Sequence, residues 1–124
     1  MAKYKRGDIV LLPFPFLTTR GIKRKLRPAL VISDHIIPKR YNDLILLAVT
    51  SKIYKPLFET EILVDSSIPT FAQTGLAVNS VIKCDMILTI PEDIVVRKIG
   101  ELGTNLMETV EDALMKGLGI KKWK

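Results

Sequence analysis

The chain has 124 residues, is 48% hydrophobic and carries a net charge of +6, so a single globular domain over residues 1–124 is expected rather than a disordered chain. The lone Cys84 excludes an internal disulfide framework and fits a reducing cytosol, and the lone His35 excludes a histidine-pair mechanism or a His/Cys zinc site. No apolar run approaches the roughly 18 residues of a spanning helix, and the first eight residues hold no hydrophobic segment of signal-peptide type, so a cytoplasmic protein with no membrane partner is expected.

The first predicted strand begins at Asp8, after the Gly7-Asp8 turn, and reads Asp-Ile-Val-Leu-Leu before Pro13 and Pro15, which are expected to stop it. Residues 20 to 27 follow as a basic loop with Arg20, Lys23, Arg24, Lys25 and Arg27, and no acid lies between Asp8 and Asp34. The loop feeds the unbroken apolar run Ala29-Leu30-Val31-Ile32, a buried strand ending at Ser33. Pro28 is expected at the first position of that strand, holding Arg27 extended at its mouth. Such an arginine suits anion binding or catalysis. The basic run reads equally as a solvated turn that keeps an apolar protein in solution.

Residues 34 to 42 read as a loop, and Leu44 to Val49 as a second buried strand ending in Thr50-Ser51. A loop centred on Pro56 leads to an alternating outer strand, Thr60 to Val64, and then to an irregular stretch through Gly75. Val81 to Ile90 is the longest strand candidate, followed by a turn at Pro91-Glu92-Asp93 and a short strand within 94–102. Asn105 to Gly117 reads as a helix capped by Asn105 with Glu108 in a capping box, burying Leu106, Val110, Ala113, Leu114 and Gly117 and ending at Gly117 or Gly119. Short strands, Gly- and Pro-rich turns and one terminal helix predict an α+β, mostly β fold: a small, partly open β-barrel.

Charge is uneven along the chain. Residues 1–62 carry 12 basic and 5 acidic side chains, and residues 63–124 carry 7 and 8. That asymmetry suggests a polyanionic partner, nucleic acid before membrane. On the long strand, alternation predicts Lys83 and Asp85 on one face, roughly 6.5–7 Å apart, with Cys84 turned into the core. A phosphodiester fits between two such groups, one taking a proton while the other meets the phosphate charge. The same residues also read as an ordinary outer face with opposite charges. Thr50 can donate to a phosphate oxygen or simply close a turn, and Ser51 and Ser80 are weaker candidates of the same kind. Trp123, in the basic tail, can stack on a base or pack loosely.

In order and spacing, Gly7-Asp8-Ile9-Val10, Pro13-Phe14-Pro15, Arg27-Pro28-Ala29-Leu30-Val31-Ile32-Ser33, Ala48-Val49-Thr50-Ser51, Val81-Ile82-Lys83-Cys84-Asp85 and Ile99-Gly100-Glu101-Leu102 resemble the PemK/MazF toxins of bacterial toxin–antitoxin systems. The resemblance spans nearly the whole chain. It implies an SH3-like barrel, usually a symmetric homodimer, that cleaves single-stranded RNA at short sequences without metal or other cofactor and is neutralised by a cognate antitoxin. The implied products carry a 2′,3′-cyclic phosphate and a 5′-hydroxyl.

By this resemblance the catalytic residues are Arg27, Thr50, Lys83 and Asp85, and the RNA-binding residues are Arg20, Lys23, Arg24, Lys25, Ser51, Lys52 and Ser80. Two departures stand out: Lys83 replaces the arginine of the family's Arg-Cys-Asp triplet, and the first loop offers Thr18, Thr19 and basic residues where relatives carry His or Glu. A non-catalytic toxin that binds a protein target such as gyrase, and a plain nucleic-acid-binding barrel, are the competing readings.

Overall fold

The computed structural model describes residues 3–18 and 21–121, with the side chains of residues 15–18 and 22–24 outside the description. Six strands are present: β1 (Asp8–Thr18), β2 (Gly21–Val31), β3 (Asp43–Thr50), β4 (Glu61–Val64), β5 (Ser80–Pro91) and β6 (Arg97–Glu101). Helix α1 spans Thr104–Leu118, and short 3-10 turns occupy Phe71–Thr74 and Glu92–Ile94. All the pairings are antiparallel, in the order β4-β5-β3-β2-β1-β6, and the sheet curls into a partly open barrel.

The two apolar runs lie where both faces of the sheet are buried. Ile9, Leu30, Leu47, Val49 and Ile82 point to the face covered by α1 and meet its Met107, Val110 and Ala113. Their neighbours Val10, Ala29, Val31, Leu44 and Leu46 point the other way, into a second core with Tyr4, Ile90 and Val95. Strand alternation separates the two sets. An unbroken apolar run is therefore needed at Ala29–Ile32 and at Leu46–Val49, because neither face meets water there, whereas Ile45 is exposed. Each fully buried aliphatic side chain contributes about 1.5–3 kcal/mol relative to exposure.

The prolines do not stop β1. The strand runs on through Pro13 and Pro15 to Thr18 and pairs with β2 as far as Thr18↔Gly21, so the expected basic loop is a strand of a long hairpin. The reason lies in which flank each proline faces. Leu11 accepts the Val96 amide at 2.8 Å, on the β6 side, so Pro13 and Pro15, two and four residues on, turn their missing N–H toward the same flank. Pairing with β6 ends at Leu11, so no ladder bond is lost there. Pro28 pairs with Leu11 and faces the β3 side, where pairing begins only at Ala29↔Ala48. It therefore lies inside the strand, not at its start.

The Gly7-Asp8 turn is a clasp. Gly7 has φ of 96° and donates to the Val31 carbonyl, while Asp8 accepts the Lys5 amide and meets the Lys98 ammonium at 3.1 Å. That ammonium's pKa is raised, chiefly by its hydrogen bond to Asp8. A second tight approach joins the Phe71–Thr74 turn to β6. A Cβ on Gly100 would stand 2.3 Å from the Thr74 carbonyl carbon, and one on Gly75 2.0 Å from the Ile99 oxygen. Only glycine fits at either place.

Helix α1 starts earlier than expected. Its cap is Gly103, whose carbonyl accepts the Met107 amide at 3.0 Å, and no side chain caps the first turn. Asn105 is already helical. The helix ends at Gly119, in the left-handed conformation with φ of 70°. Arg6 ties this helix to the sheet, donating to the Ile32 carbonyl and pairing with Glu111 at 2.7 Å. None of the described helices is long and apolar enough to cross a membrane.

Candidate active site

β2 and β3 are neighbours only from Ala29↔Ala48 to Val31↔Leu46. Past that point β2 continues into the hairpin with β1, while β3 ends at Thr50 against Val81 of β5. A cavity of about 330 Å³ opens where the two strands part. Arg27 and Pro28 form one wall and Ala48, Val49 and Thr50 another; Lys83 and Met86 come from β5, Phe14 from β1, and Lys52 and Tyr54 from the loop after β3. Parting strands leave backbone and side chains without a sheet neighbour, which is why the opening falls here and not within the paired region.

Three of the four expected catalytic residues, Arg27, Thr50 and Lys83, line this one cavity. Arg27 is half-buried at the point of divergence. Thr50 Oγ1 accepts the Lys52 amide at 3.1 Å. That bond fixes the hydroxyl oxygen and directs the hydroxyl proton to another acceptor. Lys83 stands opposite Ala48, so its side chain shares a face with that of Thr50.

Asp85 lies in a stretch of β5 where simple alternation is interrupted. The pairs Leu47↔Ile87 and Ala48↔Lys83 are adjacent on β3, yet three residues, Cys84, Asp85 and Met86, separate their partners on β5. This bulge interrupts the period of two between Lys83 and Ile87. Asp85 is exposed and is not among the residues lining the cavity, whereas Met86 is. Its charge still reaches its neighbours: after the larger effect of the hydrogen bond to Glu61 it adds to the raised pKa of Lys83, and after the larger effect of burial to that of the Cys84 thiol, pushed up to about 11.

The expected RNA-binding residues separate in space. Lys52 is exposed on the cavity and Lys25 is exposed on the hairpin. Ser51 lines a second cavity of about 400 Å³, on which Arg27 also borders, with Arg97 and the Gly75–Val78 segment. Ser80 lines that second cavity too, but it is buried and donates its hydroxyl to the Val78 carbonyl at 2.9 Å. Lys23 and Arg24 belong to β2 by backbone, with side chains outside the description; Arg20 and Trp123 lie outside the described residues. His35 is remote from the cavity and accepts the Arg6 amide through Nδ1 at 3.3 Å. Among the described residues, no group of three or more metal-ligating side chains converges.

One residue of the site escaped the sequence reading. Glu61, on β4, pairs in register with Lys83 and meets its ammonium through Oε2 at 2.9 Å. Its other oxygen accepts the Phe58 amide at 2.9 Å. The Phe58 amide first, and Lys83 second, hold the Glu61 carboxyl below its usual pKa. The hydrogen bond to Glu61 in turn raises that of Lys83. The pair is therefore fully charged at neutral pH. Only the β4–β5 register reveals it, and no local pattern around Glu61 carries that signal. Phe14, Tyr54 and Met86 also line the cavity and were missed because only the folded chain brings them to it.

A mostly-β, curled six-stranded half-barrel with one C-terminal helix matches the MazF-like fold. The chain belongs to the PemK-like, MazF-like toxins of type II toxin–antitoxin systems, whose family model it matches over residues 5–118. Its fold is similar to that of an endoribonuclease from a mycobacterial species, solved in complex with its cognate antitoxin, at 19% identity and a TM-score of 0.70 over 98% of this chain and 99% of that one. It is similar to the Mycobacterium tuberculosis toxin MazF-mt6 at 22% identity and a TM-score of 0.70, over 93% and 99% of the two chains. MazF in the MazE–MazF structure from Deinococcus radiodurans gives 21% identity and a TM-score of 0.69 over 95% and 97%. No curated protein matches the chain significantly.

Proposed function

We propose that the chain is an endoribonuclease toxin that cleaves single-stranded RNA, arrests translation and is neutralised by a cognate antitoxin. The observation that carries this reading is the meeting of Arg27, Thr50 and Lys83, from three strands, on one cavity. Two cations and a hydroxyl donor at one opening suit a phosphodiester whose charge grows in the transition state. In this reading the 2′-hydroxyl of the substrate attacks the adjacent phosphorus, and the bond to the 5′-oxygen of the next nucleotide breaks. Arg27 grips the non-bridging oxygens with its planar fork. Thr50 donates its hydroxyl proton to one of them. Lys83, kept protonated, neutralises charge and protonates the departing oxygen. Asp85, exposed beside Lys83, takes the proton of the attacking hydroxyl. The products are a 2′,3′-cyclic phosphate and a 5′-hydroxyl, and no metal takes part.

The partners follow from the same reading. An antitoxin with an acidic, partly apolar segment suits a chain whose first half is strongly cationic, and its binding would weaken with salt. A homodimer is the expected working unit. The deciding experiment incubates the purified protein with a mixed-sequence single-stranded RNA and maps the ends. Fragments with cyclic-phosphate and 5′-hydroxyl termini support the reading. Intact RNA at micromolar protein overturns it and leaves a toxin that acts by binding.

A further inference from the structure

We propose that Glu61 is the positioning residue of this site: it holds the Lys83 ammonium in place at the cavity wall, ready for the scissile phosphate. The inference rests on the nuclease reading above and adds to it a residue from β4, a strand that contributes nothing to the cavity lining. A lysine is a point charge on a flexible stem, and it loses rotamer freedom when fixed. An arginine holds its own orientation through a planar fork; lysine at the same place needs an external anchor. Glu61 has the geometry for that task. Both carboxylate oxygens are engaged, Oε1 by the Phe58 amide and Oε2 by Lys83, each at 2.9 Å. The Glu61 amide returns a bond to the Phe58 carbonyl at 3.0 Å, so the turn and the carboxylate lock each other. The Glu61 side chain is only 10% exposed and that of Lys83 25%, so water competes weakly for the pair. With both oxygens occupied and its pKa lowered, Glu61 is a poor base and acts through Lys83.

The charged groups around Lys83 are Glu61 from β4, Asp85 from its own strand, and Arg27 and Lys52 across the cavity. The two carboxylates favour the ammonium. Glu61 makes the direct contact, so its removal is felt most. Glu61→Gln keeps the acceptor for Phe58 and removes the charge. The expected result is a kcat at least tenfold lower with KM changed less than twofold, and an alkaline limb of the pH–rate profile shifted to lower pH. In a Lys83→Ala background the same substitution is expected to cost less than twofold, because its target is gone. An equal loss in both backgrounds means a merely structural role and overturns the inference, as does an unshifted alkaline limb.

A readout independent of cleavage separates this inference from the nuclease reading. The Lys83 titration, followed by NMR of 13C-labelled lysine, is expected to move to lower pH in Glu61→Gln whether or not RNA is cut. An unmoved Lys83 midpoint overturns the positioning role. Absence of cleavage by the wild-type protein overturns the nuclease reading instead.

Discussion

Lys83 faces Ala48 across the β3–β5 ladder, although the next residue of β3, Leu47, faces Ile87. The three residues between, Cys84 to Met86, form a bulge that bends β5 at the edge of the cavity. Bulges re-aim side chains, and this one brings Met86 to the cavity wall while Asp85 stays exposed outside it. If Asp85 takes up the proton of the 2′-hydroxyl, Asp85→Asn lowers kcat by about 10²–10⁴-fold, the usual contribution of a general base. Affinity for a non-cleavable RNA is expected to change less than twofold. Single-turnover rates together with fluorescence anisotropy measure both. An undiminished rate removes Asp85 from the mechanism and leaves the bulge as a device for Met86 alone.

Arg27 sits where β2 leaves β3, outside both apolar cores. Arg27→Ala is therefore expected to leave the circular dichroism spectrum intact while cutting the rate by about 10²–10³-fold, as loss of one charge-stabilising donor does. Arg27→Lys is expected to recover only part of the rate, because a point charge does not replace the fork. A folded Arg27→Ala protein that cuts at near wild-type rate assigns the phosphate contact elsewhere.

Much of this architecture was legible in the chain. The runs Ala29–Ile32 and Leu46–Val49 are apolar because both faces of the sheet are buried, and that is what an unbroken run signifies; Ile45, in the same apolar stretch, is exposed. The hairpin was not legible, because a proline stops a strand only when its amide is needed. Pro13, Pro15 and Pro28 all turn toward flanks without a partner, a fact set by where β6 and β3 end. Arg27, Thr50 and Lys83 were visible as strand-end or alternating residues, and the fold brings them together. Glu61 was hidden, since its role arises from register with a strand distant in sequence. The bulge at Cys84–Met86 was hidden as well, because nothing marks it in an otherwise alternating segment.

Cys84 gives a pH test of the packing between sheet and helix. Its thiol is buried in the core beneath α1, and its pKa is raised from 9.0 to about 11, first by burial and second by the charge of Asp85. The unfolded chain loses this proton first, so it binds fewer protons than the native state across the window between the two values. Stability therefore falls as pH rises from about 9 to about 11. The Lys83–Glu61 and Lys98–Asp8 pairs act in the same direction, since each ammonium pKa is raised from 10.5 and its contribution fades only above that value. Urea midpoints are expected to drop across this window, with a shallower slope in Cys84→Ala. At pH 8 the native thiol is expected to react with iodoacetamide at least a hundredfold more slowly than the unfolded one. Equal reactivity in the two states would place Cys84 at the surface.

The identity of the nucleophile decides the chemistry. When the attacking group is the 2′-hydroxyl of the substrate, replacing the single ribose 5′ to the scissile phosphate by deoxyribose removes the nucleophile and leaves the phosphate contacts of Arg27 and Thr50 intact. Such an RNA is expected to bind within about threefold of the parent and to stay uncut, a loss in rate with affinity retained. It is then a competitive inhibitor of the parent substrate. Activity is expected to survive EDTA, because Arg27 and Lys83 supply the positive charge that a metal would otherwise bring to the phosphate. The two measurements report on different steps. Cleavage of the deoxy-substituted site at the parent rate identifies water or a protein group as the nucleophile and refutes the cyclic-phosphate route. Loss of activity in EDTA, restored by magnesium, assigns the charge stabilisation to a metal and leaves Lys83 with a binding role, which the pH dependence of affinity for the deoxy-substituted RNA would then reveal.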